Sequence, residues 1–320
     1  AMPAAENEQA REIDLADNEK VINGVYTIRS AGDHKFTCSR ETGNRIVVDG
    51  GNTSEQDNIN IYLNKVNINT STGPALRINV NVKATVTIYL TGTNNLIAKN
   101  TWYAGLQKAN TASLIITTKV LDPTAGILNA HGSSDGDGAG IGGSNITINS
   151  CSVIASSKYG AGIGGNKQGA GSNITINSAS VTASSTNGAG IGGGEGNSCK
   201  NITINNSSVT ASSTNGAGIG GGKGGAGSNN ITINGGSVKA SSVSGSPTNG
   251  GKEVYCCTIE NPENANVTIK TGTGSSVNWK PVNHSSLDPD DTNLYVWLPK
   301  LESNSTNSYL IILDPENSSE

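Results

Sequence analysis

Alternation with a period of two, and no helical periodicity, runs through this chain, and over one stretch it is written as a recurring phrase. Between Gly138 and Ser242 the order GAGIGG, polar loop, NITIN, SVxAS occurs four times. The Ile of GAGIGG falls at Ile141, Ile163, Ile191 and Ile219. The Asn opening NITI falls at Asn145, Asn173, Asn201 and Asn230, and the last Val at Val153, Val181, Val209 and Val238. The Asn and Val series step by 28, 28 and 29 residues. The first Ile step is 22, because the loop after Gly143 is nearly absent there. A period that holds while one loop shortens is the mark of a solenoid whose insertions map to one corner.

Each phrase holds three short alternating segments. In Asn173-Ile174-Thr175-Ile176-Asn177 both Ile point one way and the polar residues the other. Three such strands cannot bury their apolar side alone. Stacking successive turns buries a continuous column of Ile, Val and Ala and pairs every strand with those above and below at roughly 4.8 Å. The predicted fold is therefore all-β: a parallel β-helix of ~28-residue, three-strand coils, right-handed as parallel crossovers are. In Ala161-Gly162-Ile163 strict alternation makes Gly the outward residue. Gly140, Gly162, Gly190 and Gly218 then form a bare strip, which either packs under a covering segment or offers a platform to an extended ligand.

The pattern extends on both sides of the regular array. Alternating runs at 13–15, 25–28, 46–48, 59–63 and 66–68 read as drifted early coils, and Leu76 and Leu106 begin two further turns 30 residues apart. The sum is roughly eight turns, a rod on the order of 40 Å. Residues 1–12 are expected to be a tail and cap, with a short helix near 8–11, and 13–252 the coil. The stretch 245–251 reads as a loop. Residues 253–320, with apolar runs at 254–259, 266–269, 277–280, 294–298 and 309–313, read as a small C-terminal β unit.

Composition narrows the function. With 42 Gly, one Phe, one Met and 4% aromatics, a globular core of large side chains is not available. A net charge of −4 without a basic block argues against nucleic acid as partner, and no apolar run approaches the ~20 residues of a membrane span. The Asn/Ser/Thr/Gly richness suits a secreted or cell-surface protein, and the N-terminus reads as that of a mature chain without its signal peptide. Five Cys (38, 151, 199, 256, 257) exclude a complete set of intramolecular bridges, so they read as small fillers or free thiols.

Candidate chemistry gathers in the loop before each GAGIGG, where equivalent side chains stack at one corner. From early to late turns this loop carries Trp102-Tyr103, Asp135 and Asp137, Lys158-Tyr159, Asn187 and Asn215. Rings pack on sugar faces while carboxylates, amides and ammonium groups bind hydroxyls or uronate carboxylates, which points to a polysaccharide ligand. Asp135 and Asp137, set between glycines, also resemble a hard-cation loop, so calcium is a possible cofactor. The NIT asparagines are expected to form a stacked amide ladder rather than glycosylation sites. Catalytic signals are sparse: three scattered His (34, 131, 284), and no Arg after Arg77. The reading leans away from an enzyme.

The GAGIGG, NITI and SVTAS array resembles β-helix surface proteins of Gram-positive and gut bacteria. Residues 59–98 are similar to a clostridial family of extracellular carbohydrate-binding β-helix proteins, some of which bind pectic acid. The resemblance spans about residues 44–242. It implies calcium-assisted binding of an acidic, pectin-like polysaccharide without turnover. The alternatives are a calcium-dependent lyase using Lys158 or Lys167 beside the Asp loop, and a purely structural surface stalk.

Overall fold

The computed structural model describes residues 12–50, 53–109, 111–119, 125–243, 245–249, 252–260, 265–271, 274–275, 293–299 and 309–314. Among these there is no helix; every regular element is a strand. The expected short helix near residues 8–11 and the strand at 277–280 lie outside the described residues.

The alternating segments stack as three faces of one coil. The first runs through Asn58–Asn64, Ser113–Thr118, Ile146–Asn149 and Gly171–Asn177, and the second through Asn67–Thr70, Gly126–His131, Ser152–Ser157 and Ser180–Ser185. Long strands such as Thr85–Ala98 and Cys199–Ser213 pass around the corner between these two faces, which therefore merge into a 16-stranded sheet. The third face is an 8-stranded sheet from Val25–Ile28 to Ile219–Gly220. Its eight strands enclose seven full turns, one fewer than the sequence count.

Register is parallel and follows the text letter for letter. Ile146, Ile174, Ile202 and Ile231 pair in succession, as do Val153, Val181, Val209 and Val238. Ile141, Ile163, Ile191 and Ile219 form one interior file on the third face, each fully buried. Each such Ile contributes about 1.5–3 kcal/mol by leaving water. The single Phe, Phe36, closes the core near its N-terminal end against the edge of Tyr26. The parallel pairing and the 28-residue step are consistent with the right-handed coil expected.

Corners are held by amide ladders. Asn173 Nδ2 donates to Asn145 Oδ1 (2.7 Å), Asn201 to Asn173 (2.8 Å) and Asn230 to Asn201 (3.0 Å). A second ladder runs from Asn234 through Asn205 and Asn177 to Asn149. The first set also turns the chain: φ is +58°, +56°, +56° and +63° at Asn145, Asn173, Asn201 and Asn230, a left-handed conformation that Asn tolerates better than other side-chain-bearing residues. Asn201→Ala is expected to cost about 1–2 kcal/mol, combining strain with lost hydrogen bonds. Asn201→Gly, which removes the same amide but accepts the backbone, should cost less. Urea midpoints of the two variants check the order; equal losses would assign the whole effect to the ladder.

Two expectations are corrected. Gly140, Gly162, Gly190 and Gly218 are buried, not an outward strip. They occupy the vertex where the second and third faces meet. A Cβ on Gly162 would stand 2.7 Å from both Gly190 O and Ser184 N, and one on Gly190 2.7 Å from Gly218 O and Ser212 N. The column is backbone packed on backbone, so no ligand reaches it. Gly245–Asn249, expected as a loop, is a strand that runs parallel to Ser228–Ala240 and then antiparallel to Lys252–Glu260.

A further strand, Gly32–Thr37, escaped the pattern because its only buried residue is Phe36. Beyond the coil, Lys252–Glu260 pairs antiparallel with Asn293–Pro299, and Asn266–Thr271 with Tyr309–Asp314, around Ile259, Ile269 and Leu298. Cys38, Cys151 and Cys199 are not joined in disulfides, and the last two are buried as fillers.

Candidate functional site

The loops before successive GAGIGG segments do stack. Asp137 N donates to Thr101 O, Tyr159 N to Gly136 O, Asn187 N to Lys158 O and Asn215 N to Thr186 O. Residues drawn from 101 to 215 thereby form one ridge along the rod. Glycine makes the spacing possible: a Cβ on Gly138 would lie 2.1 Å from the Tyr103 carbonyl, and one on Gly188 2.1 Å from Gly160 O.

The ridge has a second row. After each GIGG the chain returns, and its backbone hydrogen-bonds the ridge of the preceding turn: Lys167 N to Asp137 O (2.8 Å), Glu195 N to Tyr159 O (2.9 Å) and Lys223 N to Asn187 O (2.7 Å). Lys167, Glu195 and Lys223 recur at intervals of 28, a signal present in the sequence. As a set it lies outside the loop preceding GAGIGG, which carries the expected site residues.

Charges on the ridge are paired locally. Lys158 Nζ lies 3.0 Å from Asp135 Oδ1, and Lys167 Nζ 3.3 Å from Asp137 Oδ1. The hydrogen bond to Asp135, and after it the Tyr159 phenol, holds Lys158 above the ordinary lysine pKa. Both ammonium groups also lie over the Tyr159 ring, at 5.2 and 4.6 Å from its centre, so that ring face is occupied. Asn187 donates to Glu195 Oε1 (3.4 Å) and accepts from Asn215 (2.7 Å).

Asp135 and Asp137, the expected metal ligands, are thus each neutralised by a different lysine. Among the described residues no three His, Cys, Asp or Glu side chains converge on a point that could hold a metal ion. A divalent cation would have to displace both lysines before binding.

Trp102 is the open aromatic. Its side chain is 69% exposed and lines a groove of about 380 Å³ with Asp137, Asn166, Lys167 and Gln168. Tyr103 does not line this groove; it is half-buried, and its phenol acts on Arg45. Asn166 is held in place by accepting a hydrogen bond from Ala139 N (2.9 Å). Across the Asp135–Asp137 loop lies a second groove of about 470 Å³, lined by Lys99, His131, Ser133, Ser156 and Lys158 among others.

A model of the Beta helix repeat matches residues 146–167, 174–195, 202–223 and 231–251. Each match starts at the first Ile of an NITI strand or its equivalent, and the matched spans pair rung on rung. The chain is a parallel β-helix protein. Neither curated proteins nor solved structures give a match to it. In this β-helix the chemistry-bearing side chains sit at the vertex between the second and third faces, joined there by the row that returns after each later GIGG. Among the described residues no helix is long and apolar enough to cross a membrane.

Proposed function

We propose that the vertex ridge binds an extended polysaccharide, and that the protein works outside the cell or on its surface as an adhesin or scaffold component. The observation that carries this reading is Trp102: a large aromatic left open to solvent, in a groove whose other walls are a carboxylate, an ammonium and two amides. An indole face covers a sugar ring while such groups bind its hydroxyls. The row continues past Tyr159 to the Asn187 and Asn215 amides, so several sugars of one chain have partners along the rod. The resemblance of residues 59–98 to a clostridial carbohydrate-binding family supports an acidic, pectin-like ligand.

Binding is proposed to leave glycosidic bonds intact. A β-eliminating lyase needs a base that gives up its proton near neutral pH. Lys158 is shifted the other way by Asp135, and Lys167 is paired with Asp137. Calcium enters the proposal as a displacer of those lysines.

Affinity electrophoresis in gels containing polygalacturonate or neutral glucans, each with and without chelator, tests the reading. Retardation of the wild type is expected, with Trp102→Ala weakening it about tenfold, or ~1.4 kcal/mol. Equal retention of wild type and Trp102→Ala removes this groove as the site. Ultraviolet-absorbing unsaturated products would replace the binder with the lyase.

A further inference from the structure

One outward column of the second face differs from its neighbours. It reads Asn69, Ile97, His131, Ser156, Ser184, Ser212, each residue paired in register with the next. A single His therefore sits directly below a rank of Ser. His131 Nδ1 and Ser156 Oγ are 2.6 Å apart, a short hydrogen bond in which the serine hydroxyl donates when the ring proton sits on Nε2. The pair faces the 470 Å³ groove, whose lining includes the Lys99 ammonium and that of Lys158, the latter ion-paired with Asp135.

We propose that Ser156 and His131 form a nucleophile–base pair that hydrolyses small carboxylic esters, of the O-acyl class carried by decorated polysaccharides. Ser156 Oγ attacks the acyl carbon as its proton passes to His131 Nδ1, and the carbonyl oxygen takes the electron pair beside the lysines. Collapse breaks the ester C–O bond, and His131 returns the proton to the departing alcohol oxygen. A water molecule, deprotonated by His131, then attacks the acyl-serine and releases the carboxylic acid, restoring Ser156. The sum is ester plus water giving acid plus alcohol. Burial lowers the His131 pKa, so the ring is neutral near pH 7 and accepts the proton.

Ser184 and Ser212 are internal controls. They hold the same strand position in later turns, but their neighbours in the column are Ser. The proposal reaches beyond the binding function, since a small chromogenic ester reports on it whether or not a glycan binds.

The experiment measures p-nitrophenyl acetate and acetylated xylan turnover by the full chain, its Ser156→Ala, His131→Ala and Ser184→Ala variants, and labelling of the wild type by a fluorophosphonate. Ser156→Ala and His131→Ala are expected to lower the rate at least ~100-fold. Ser184→Ala should leave it unchanged, and the label should map to the peptide holding Ser156. A wild-type rate no greater than that of Ser156→Ala, or a label on another residue, overturns the proposal. The wild-type labelling decides the matter even if a variant misfolds. Loss of glycan retention in Trp102→Ala with esterase activity intact would separate the two functions.

Discussion

Gly190→Ala is expected to lower the stability of the rod by about 2–3 kcal/mol, the upper part of the range for overpacking a filled interior. The added methyl would meet Gly218 O and Ser212 N at 2.7 Å and Ala183 O at 2.9 Å, backbone atoms on three sides. None can rotate away, as the end of a flexible side chain would. Relief requires the vertex to open across adjacent turns, which lengthens the hydrogen bonds from Ile191 N to Gly218 O and from Gly190 N to Ala217 O. Gly43→Ala is the control, because its nearest neighbour, Asn69 O, is 3.9 Å away and the substitution should cost a few tenths of a kcal/mol. Urea unfolding followed by circular dichroism measures both. A loss for Gly190→Ala no larger than for Gly43→Ala would mean that the two faces are not in backbone contact at the vertex.

Lys108→Met should do the opposite and stabilise the protein, by about 1–3 kcal/mol at pH 7. Lys108 ends the strand Leu106–Lys108 at an inward position and is 5% exposed. Its ammonium donates to Ala109 O (2.8 Å) and to Ser144 O, and among the described residues no carboxylate pairs with it. Burial lowers its pKa from 10.5 to about 8.

The sign follows from proton uptake. Below pH 8 the group is charged in both states, and the full cost of burying it is present. Between about 8 and 10.5 the folded state sheds a proton that the unfolded chain keeps, so stability from this residue rises with pH. The advantage of Lys108→Met over wild type should therefore be largest below pH 8 and shrink toward pH 10.5. Cys151, pushed up to about 12 by burial, works in the opposite direction above pH 9, but it is common to both proteins and cancels in the difference. Thermal midpoints of both proteins from pH 6.5 to 10.5 give the test. A constant difference would show that packing at this position, rather than the buried charge, sets its stability.

Much of the site was legible as columns. Once Ile163, Ile191 and Ile219 are understood as one interior file, Lys158-Tyr159, Asn187 and Asn215 must lie along one corner, and they do. The returning row of Lys167, Glu195 and Lys223 was equally periodic, but its approach to the ridge depends on how far each GIGG turn folds back. The His131–Ser156 pair was not legible. His131 precedes the regular array and lies 25 residues from Ser156, so only the strand register brings them together. Lys108 was hidden for a related reason: its neighbours place it inward, and only the carbonyls at the next corner make that position tolerable for an ammonium.

The sequence by itself determined the stacking axis, because a repeat of 28 residues with period-two alternation has one way to bury its Ile and Val while pairing every backbone group. The tertiary structure alone decided the cross-section of the coil. Alternation says which side of a strand a residue faces, but not the angle at which two strands meet. At the vertex between the second and third faces the close approach of the two backbones turns an apparently outward glycine into a buried contact, and the grooves open beside the same corner.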